Sequence, residues 1–245
     1  LDQTSTGLSG RTSLTQDLLQ KIVGAVSSAT SSTIEHGKQV AASLGEKTAE
    51  LENVKSKLEE YKKLADTDPL THIWNRRAFD KRIASVYNDK KDVAFSALIL
   101  ADIDRFKQIN DRFGHPVGDK IIQAIANIFK AGSREDVFVA RTGGEEFAMI
   151  VEGSGEETTA QLADAIRSAI EQTAFVNTNG NVNYGPITIS MGVCLAAQAD
   201  GPEDLYAKAD RALYASKVAG RNRVTKFSTI QEVRTGKNWY IYKKD

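Results

Sequence analysis

The chain has 245 residues, of which 41% are hydrophobic and 26% are charged, a composition typical of a folded globular protein and not of a disordered or fibrous one. Its 32 basic side chains equal its 32 acidic side chains in number. This balance gives no electrostatic basis for binding nucleic acid or an anionic membrane, which both require clustered Lys and Arg. We therefore expect neither nucleic acid nor a membrane surface as a partner of this segment.

Redox and zinc chemistry are not predicted. Cys194 is the only cysteine and the chain has three histidines, so the sequence offers neither an internal disulfide nor a Cys/His zinc site. The most apolar stretch, 95–101, ends at Asp102 and is far shorter than the ~20 residues that span a bilayer. We expect a reducing, cytoplasmic location. Because the chain begins at Leu1, we also expect a longer protein whose upstream part could carry a sensor or a membrane anchor.

Residues 1–65 are predicted to form a helical stalk. Apolar residues alternate at spacings of three and four, the pattern of a coiled-coil seam, through Leu44, Leu51, Val54, Leu58, Tyr61 and Ala65. The seam is weaker toward the N-terminus. Gly24, Gly37 and Gly45 each disfavour a helix by about 1 kcal/mol relative to Ala. We expect the stalk to form a homodimer through 44–65. The alternative is an amphipathic helix that folds back on its own domain.

The heptad pattern ends at Asp68 and Pro69. Pro69 cannot continue a helix, whereas Asp68 could cap a new helix that Pro69 opens. We place a domain at 66–227 and a C-terminal extension at 228–245, in which 239–242 could form an edge strand.

Apolar runs alternate with amphipathic stretches through 66–227. The predicted strands are 94–103, 137–141, 147–151, 187–195 and 224–227, and the predicted helices are 76–87, 118–131, 158–173 and 204–218. The glycine-containing segment 142–146 predicts a hairpin between the second and third strands, so at least one strand pair is antiparallel. The predicted fold class is α+β, with a central sheet flanked by helices.

Acidic residues mark the ends of two predicted strands. Asp102 and Asp104 end an apolar central strand, and the hairpin turn presents Glu145 and Glu146 side by side. A single Asp at a strand end is commonly a helix cap or a solvated loop residue, but neither glutamate assists a turn that already contains two glycines. If the hairpin lies beside the Asp102 strand, the carboxylates converge, and like charges that close are tolerated only if they are protonated or bridged by a cation. Oxygen ligands without His or Cys favour Mg²⁺ or Mn²⁺, which commonly serve phosphate-bearing substrates.

The basic residues offer phosphate contacts without a P-loop. The chain lacks the G-x-x-x-x-G-K-[ST] pattern, and its Gly143-Gly144 pair lacks the rest of a dinucleotide fingerprint. Lys107 and the basic segment 217–223 could bind phosphate. The alternative for 217–223 is an ordinary helix C-terminus with Gly220 as its cap.

The segment Arg141-Thr142-Gly143-Gly144-Glu145-Glu146-Phe147 resembles the signature of the GGDEF family of diguanylate cyclases, in its GGEEF form. Further motifs of that family match in order along about residues 66 to 227. They are Asp68-Pro69-Leu70-Thr71, Asn75-Arg76-Arg77, Asp102-Ile103-Asp104, Phe106-Lys107, Ile109-Asn110-Asp111, Gly114-His115, Gly118-Asp119, 188–193, 209–214, Lys217 and Gly220-Arg221-Asn222.

The resemblance implies a fold similar to the nucleotidyl cyclase and polymerase palm, and the condensation of two GTP into cyclic di-GMP and two pyrophosphates. It implies two Mg²⁺ or Mn²⁺ per active site, held by Asp102, the backbone carbonyl of Ile103, Glu145 and Glu146. Glu145, Glu146 and Lys107 would be catalytic, with Glu145 taking the proton of the ribose 3′-hydroxyl.

The implied substrate contacts are Asn110 and Asp119 on the guanine edge, Lys107, Lys217 and Arg221 on the phosphates, and Phe106, Gly143 and Gly144 beside the nucleotide. One such domain binds one GTP, so two domains must face each other, and a dimeric stalk would hold them together. The alternatives are a module that binds GTP or cyclic di-GMP without turnover, and a dimerising module that only transmits a signal.

The chain departs from the family pattern in three places. His72-Ile73 replaces a usual Gly-Leu, which we expect to be tolerated as packing, and Arg105 stands where an aromatic residue is common, without a predicted consequence. The family's product-inhibition motif, R-x-x-D, keeps Arg134 but has Val137 in place of Asp. Asp136 is a poor substitute because one residue of slip turns a strand side chain to the other face. We predict weak or absent inhibition by cyclic di-GMP through this site.

Overall fold

The computed structural model describes residues 2–88, 90–133, 137–177 and 182–230. The chain divides into two compact units, Leu1–Lys63 and Leu64–Asp245. The predicted product-inhibition residues Arg134 and Asp136 and the predicted edge strand 239–242 lie outside the described residues.

The first unit consists of helix α1, which spans Asp2–Asp66 and so enters the second unit. The predicted long N-terminal helix is therefore confirmed. Its large apolar side chains between Leu18 and Tyr61 are each more than half exposed, and Leu51 reaches 69% exposure. No helix in the described part of the chain has both the length and the apolar composition that crossing a bilayer requires.

The second unit is built from the remaining helices and strands of the described chain. The helices are α2 (Arg76–Val86), α3 (Lys90–Phe95), α4 (Phe106–Phe113), α5 (His115–Gly132), α6 (Glu156–Gln172) and α7 (Pro202–Val218). The strands are β1 (Ser96–Ile103), β2 (Phe138–Arg141), β3 (Glu146–Glu152), β4 (Ile189–Leu195) and β5 (Val224–Lys226).

The strands form one mixed sheet in the order β2-β3-β1-β4-β5. The β2–β3, β3–β1 and β1–β4 pairs are antiparallel, and only β4 and β5 run parallel. The predicted hairpin and the α+β fold class are thus confirmed. Strand β1 lies at the centre with all eight of its residues buried, as its uninterrupted apolar run requires.

Side-chain alternation along β1 divides the core between the two faces of the sheet. Ile99 and Ala101 belong to the cluster that packs with α5 and α6, whereas Leu98 and Leu100 belong to the cluster that packs with α2 and α7. Because side chains alternate with a period of two, Asp102 continues the second series. The polar end of β1 therefore faces the side of the sheet that α7 covers.

The structure corrects three of the predicted elements. Residues 94–95 end helix α3 instead of opening the first strand, and α4 was not predicted. The prediction that Asp68 and Pro69 start a helix is wrong, because α2 begins at Arg76 and its N-cap is Asn75, whose side chain accepts from the Ala78 N–H. Asp68 instead closes a turn, in which its carboxylate accepts from the backbone N–H of Thr71 at 2.9 Å and from the hydroxyl at 2.7 Å.

Candidate active site

Acidic residues of β1 and β3 meet at one edge of the sheet. Asp102 is the register partner of Glu146, and the N–H of Ile103 donates to the backbone carbonyl of Glu145 at 3.3 Å. Directly opposed residues of an antiparallel pair have their Cβ atoms about 5 Å apart. The predicted convergence of the two acidic segments is therefore present in the fold, with the Asp102–Glu146 pair at its centre.

Lys217 supplies positive charge to this acidic edge. Its Nζ lies 2.8 Å from Oδ2 of Asp102, a residue that is only 8% exposed. Burial raises the pKa of Asp102, Lys217 opposes that rise, and the charges of Glu146 and Asp104 add to it. The edge thus combines crowded carboxylates with one ammonium group, an arrangement that favours a further cation.

The close packing of α7 on β4 brings Lys217 to this edge. A Cβ atom on Gly192 would lie 2.2 Å from the backbone N of Leu213 and 2.3 Å from the carbonyl O of Ala209, so only glycine permits this approach. In the last turn of α7, the hydroxyl of Ser216 donates to the carbonyl of Met191 at 2.7 Å. The last turn of α7 is therefore held against the sheet beside β1.

Asp104 ties the acidic edge to two other segments, a role that we did not predict. Its carboxylate accepts from the hydroxyl of Thr188 at 2.7 Å, from the hydroxyl of Ser190 at 2.6 Å and from the backbone N–H of Asn222 at 3.0 Å. At 7% exposure it is a structural carboxylate with satisfied oxygens. The sequence signal that could have indicated this role of Asp104 is the presence of the polar residues Thr188 and Ser190 in an otherwise apolar predicted strand.

The turn after α7 has an unusual backbone. Gly220, Arg221 and Asn222 have φ angles of 115°, 67° and 47°, and the last two are non-glycine residues in the left-handed region. The Asn222 side chain holds the turn to α6, since it accepts from Arg167 at 3.0 Å and donates to Glu171 at 2.7 Å. This anchoring leaves Arg221 exposed at the end of the turn.

Helices α4 and α5 place the predicted guanine-reading residues together. A Cβ atom on Gly118 would lie 2.0 Å from Oδ1 of Asn110 and 2.9 Å from the ring of Phe106, so α5 can approach α4 only at a glycine. Oδ1 of Asn110 is buried and has no hydrogen-bond partner among the described residues. Asp119 follows Gly118 and is exposed. An unpaired buried acceptor costs about 1–3 kcal/mol, which a ligand N–H would recover.

Arg141 connects the signature turn to the segment that follows α1. Its guanidinium forms an ion pair with Asp68 at 3.1 Å and donates to the carbonyl of Gly144 at 2.9 Å. Both side chains of the pair are about 15% exposed. The conformation of the Gly143-Gly144 turn is thus coupled to the turn at Asp68.

The acidic edge fits a hard divalent cation in its donor chemistry. The described residues contain no group of three or more His, Cys, Asp or Glu side chains arranged to hold a metal. Asp102 and Glu146 nevertheless offer opposed carboxylates, the ligand type that Mg²⁺ and Mn²⁺ prefer. The backbone of Ile103 and Glu145 lies at the same edge.

Comparison with known proteins identifies the domain. A family model described as "Diguanylate cyclase, GGDEF domain" matches residues 65–223. The chain belongs to the GGDEF family. The predicted family is thereby confirmed, and residues 65–223 can be called its GGDEF domain.

Curated relatives of the GGDEF domain include two named diguanylate cyclases. VdcA of Vibrio cholerae is 38% identical over 177 residues, which are 72% of this chain and 51% of that protein. DgcZ of Escherichia coli is 32% identical over 159 residues, which are 65% of this chain and 52% of that protein. The chain thus spans about half the length of these relatives.

Solved structures of GGDEF domains share the fold. The coiled coil and GGDEF domain of DgcB from Caulobacter crescentus, in complex with c-di-GMP, aligns with a TM-score of 0.69 and 34% identity over 76% of this chain and 98% of that chain. The active GGEEF domain of a diguanylate cyclase from Vibrio cholerae aligns with a TM-score of 0.57 and 33% identity over 62% of this chain and 96% of that chain. The first of these neighbours contains a coiled coil together with its GGDEF domain.

Proposed function

We propose that this GGDEF domain condenses two GTP into cyclic di-GMP and two pyrophosphates across a homodimer. The observation that carries the proposal is the opposition of Asp102 and Glu146 at the sheet edge, with the Lys217 ammonium 2.8 Å from Asp102. A pair of carboxylates with an adjacent cationic side chain suits a phosphoryl centre, at which negative charge builds during attack.

Two Mg²⁺ or Mn²⁺ ions would be held by Asp102, the backbone carbonyl of Ile103, Glu145 and Glu146. When bound, such ions neutralise phosphate charge and favour displacement at phosphorus. The raised pKa of Asp102, to which burial contributes most and the charge of Glu146 adds, supports this assignment, because crowded carboxylates gain from a cation. These residues therefore define the reacting edge of the site.

The nucleotide would lie between the acidic edge and the α4–α5 groove. The buried acceptor Oδ1 of Asn110 can take an N–H of guanine, and the exposed carboxylate of Asp119 can accept from N1–H and N2–H₂. Adenine presents acceptors in place of these donors and would be disfavoured. We place Phe106, Gly143 and Gly144 beside the nucleotide: Phe106 and Asn110 both lie against Gly118, and a Cβ added to Gly144 would meet nothing within 4 Å.

Lys107, Lys217 and Arg221 would bind the phosphates. In the reaction each ribose 3′-oxygen bonds to the α-phosphorus of the other GTP, the bond from that phosphorus to the bridging oxygen of the β-phosphate breaks, and pyrophosphate leaves. Glu145 takes the 3′-hydroxyl proton. The two domains must therefore face each other, and pairing of α1 helices would raise their effective concentration.

The exposed apolar stripe of α1 supports the homodimer. Leu44, Leu51 and Leu58 are 66%, 69% and 51% exposed, and they lie at coiled-coil spacing. We further propose that the domain acts in the cytoplasm, where GTP and Mg²⁺ are available. The alternative function is a module that binds GTP or cyclic di-GMP without turnover. It is disfavoured because the implied catalytic residues Glu145, Glu146 and Lys107 are all present, together with the metal ligand Asp102 and the phosphate contact Lys217.

The deciding experiment incubates the chain with GTP and Mg²⁺ and separates the nucleotides by chromatography. We expect cyclic di-GMP and pyrophosphate from the wild type, and at least about a 10²-fold lower rate from Asp102→Asn. Glu157→Gln, an exposed substitution on α6, is the matched control and should leave the rate unchanged. Binding of GTP by the wild type without any cyclic di-GMP would support the alternative function instead.

A further inference from the structure

Asp210 is an acidic residue of α7 that the proposed reaction does not use. It lies seven residues before Lys217, so the two residues are within about 20° of each other around the helix axis and about 10 Å apart along it. Side chains of a helix lean toward its N-terminus, which directs the long side chain of Lys217 toward Asp210. Asp210 and Lys217 therefore share one face of α7.

The packing of α7 places this shared face next to the sheet. Ala209, Leu213 and Ser216 form the buried stripe of the helix. Asp210 and Lys217 flank that stripe, on the side from which the Lys217 ammonium reaches Asp102. The side chain of Asp210 thus borders the acidic edge, although Asp210 belongs to neither of its two acidic segments.

The charges of the acidic edge act on the carboxyl group of Asp210. Partial burial of this carboxyl group raises its pKa above the ordinary value of 3.8, the charge of Lys217 opposes the rise, and the charge of Glu146 adds to it. Lys217 and Glu146 act in the same senses on Asp102. Asp102 and Asp210 are therefore two carboxylates within electrostatic range of one ammonium group.

Only one of these two carboxylates is paired with the ammonium. Oδ2 of Asp102 lies 2.8 Å from Nζ of Lys217. Asp210 accepts no hydrogen bond from the residues that the structure describes, and none of their basic groups lies within 4.0 Å of its oxygens. A partly buried carboxylate without a partner gains when a positive charge approaches it. Asp210 is therefore free to accept the ammonium if Asp102 releases it.

The proposed function requires Asp102 to release Lys217. A divalent cation held by Asp102 would use the carboxylate that now pairs with the ammonium, and the two positive charges would repel each other at that distance. Lys217 then needs another anionic partner near the site, or its flexible side chain turns into solvent. Asp210 provides that partner on the same face of α7, and it is present before any nucleotide binds.

We propose that Asp210 is a positioning residue: it becomes the partner of the Lys217 ammonium when a divalent cation occupies Asp102, and so keeps that ammonium beside the phosphates of the substrate. This inference rests on the proposed function, since it concerns the same acidic edge. Asp210 acts through Lys217 and needs no contact with the substrate. The effect of removing its charge must therefore depend on whether Lys217 is present.

The experiment is a double-mutant cycle that measures binding of Mn²⁺ to the whole chain, without nucleotide, from the paramagnetic resonance signal of the free ion. Asp210→Asn should weaken Mn²⁺ binding about tenfold, because Lys217 then competes for Asp102 without an alternative partner. In a Lys217→Met background this competition is absent, and Asp210→Asn should change the affinity by less than about twofold.

Two further variants separate the charge of Asp210 from its place in the fold. Asp210→Glu keeps the carboxylate and should bind Mn²⁺ within about threefold of the wild type. Glu203→Gln removes an exposed carboxylate from the first turn of α7, two turns further from Lys217, and should leave the affinity within about twofold.

An equal loss of Mn²⁺ affinity in both backgrounds would mean that Asp210 contributes only negative charge, and it would overturn the inference. Unchanged affinity in Asp210→Asn, or no binding of Mn²⁺ by the wild type, would also overturn it, even if the chain produces cyclic di-GMP. If the chain produces none and the dependence on Lys217 is nevertheless observed, the proposed function fails and the positioning role of Asp210 stands.

Discussion

The two units of the chain differ in whether their apolar side chains are buried or exposed. In the unit Leu64–Asp245, every residue of β1 is buried between helices on both faces of the sheet. In α1, the large apolar side chains from Leu18 to Tyr61 are each more than half exposed. The GGDEF domain therefore contains the partners that its core requires, whereas the apolar stripe of α1 requires a partner from outside its own helix.

The polar contacts differ in the same sense. Among the described residues of the unit Leu1–Lys63 the polar side-chain contacts are local, as in the ion pair of Lys21 with Asp17 or the hydrogen bond from Thr48 to the carbonyl of Leu44. In the GGDEF domain they join distant segments, as when Asp104 binds Ser190 and Arg141 binds Asp68. Substitutions in α1 should therefore change association, and substitutions in the domain should change folding or the geometry of the site.

The largest expected effect concerns the stripe of α1. The double substitution Leu51→Glu and Leu58→Glu places charges on the seam, which should prevent pairing of two chains and lower cyclase activity at least about 100-fold at dilute protein, because the two sites then meet only by diffusion. Sedimentation and activity measured across protein concentration would test this. The rate should recover as concentration rises.

Ser56→Glu is the matched control for that experiment, because it adds an exposed charge to α1 away from the seam. It should leave both association and activity unchanged. Specific activity of the double variant equal to that of the wild type at dilute protein would remove α1 from the mechanism.

A smaller effect is expected where the domain is packed most closely. Gly192→Ala should destabilise the domain by about 3 kcal/mol, because its Cβ would meet the backbone of α7 at 2.2 Å and backbone cannot move aside as a side chain can. Denaturant unfolding would measure the loss. Gly155→Ala, where nothing lies within 4 Å of the added Cβ, is the control and should change stability by less than about 1 kcal/mol.

The sequence could predict those strands and helices in which apolar, buried residues recur regularly along the chain. Strand β1 was placed to within two residues because its apolar run is continuous, and the β2–β3 hairpin was placed because glycines separate two such runs. Helix α4 was missed because only Phe106, Ile109 and Phe113 of its eight residues mark an apolar face. Short helices give too few repeats of the period to be distinguished from a loop.

The sequence could predict which residue types form the site. It could not predict the hydrogen bonds and ion pairs that join them to distant segments. The convergence of Asp102 with the hairpin follows from two local patterns, but the contacts of Asp104 depend on the tertiary approach of Thr188 and Asn222. Asp68 was expected to cap a helix and instead contacts Thr71 and Arg141. These contacts join residues that are far apart in the sequence. They depend on how the helices and strands pack, which a local sequence pattern does not predict.

The contact of Asp68 predicts a pH-dependent contribution to stability. Partial burial acts to raise the pKa of Asp68, but hydrogen bonds from Thr71 and the neighbouring Arg141 hold it below the ordinary value of 3.8. A lowered carboxyl pKa in the folded state means that the ionised form stabilises the fold above 3.8 and that this stabilisation is lost as the pH falls through the lowered value.

Asp68→Asn should accordingly destabilise the domain by about 1.5 kcal/mol at pH 7, where the ion pair with Arg141 is fully formed. The stabilities of wild type and variant, measured by denaturant unfolding at a series of pH values, should converge as the pH falls from 3.8 through the lowered pKa of Asp68. If the difference in stability between wild type and variant stays constant down to the lowest pH, the charge of Asp68 is not the cause of the destabilisation.

The smallest expected effect concerns the backbone strain at His72. His72 is exposed and has a φ of 55°, at a position where the family pattern has glycine. The expectation that His72-Ile73 is tolerated as packing therefore applies to Ile73, which is 4% exposed, whereas His72 must adopt a left-handed backbone.

His72→Gly should stabilise the domain by about 1 kcal/mol, because glycine adopts a positive φ without the steric cost of a Cβ. The contacts that fix this turn are made by the backbone of residue 72, whose N–H donates to the carbonyl of Asp68 at 2.9 Å, so glycine preserves them. The exposed α6 substitution Gln161→Gly should instead destabilise by about 1 kcal/mol, since it lies within a helix. Changes of opposite sign at these two exposed positions would show that backbone conformation, and not the loss of a side chain, determines the effect. A loss of stability at both would mean that the His72 side chain contributes more than its strained backbone costs.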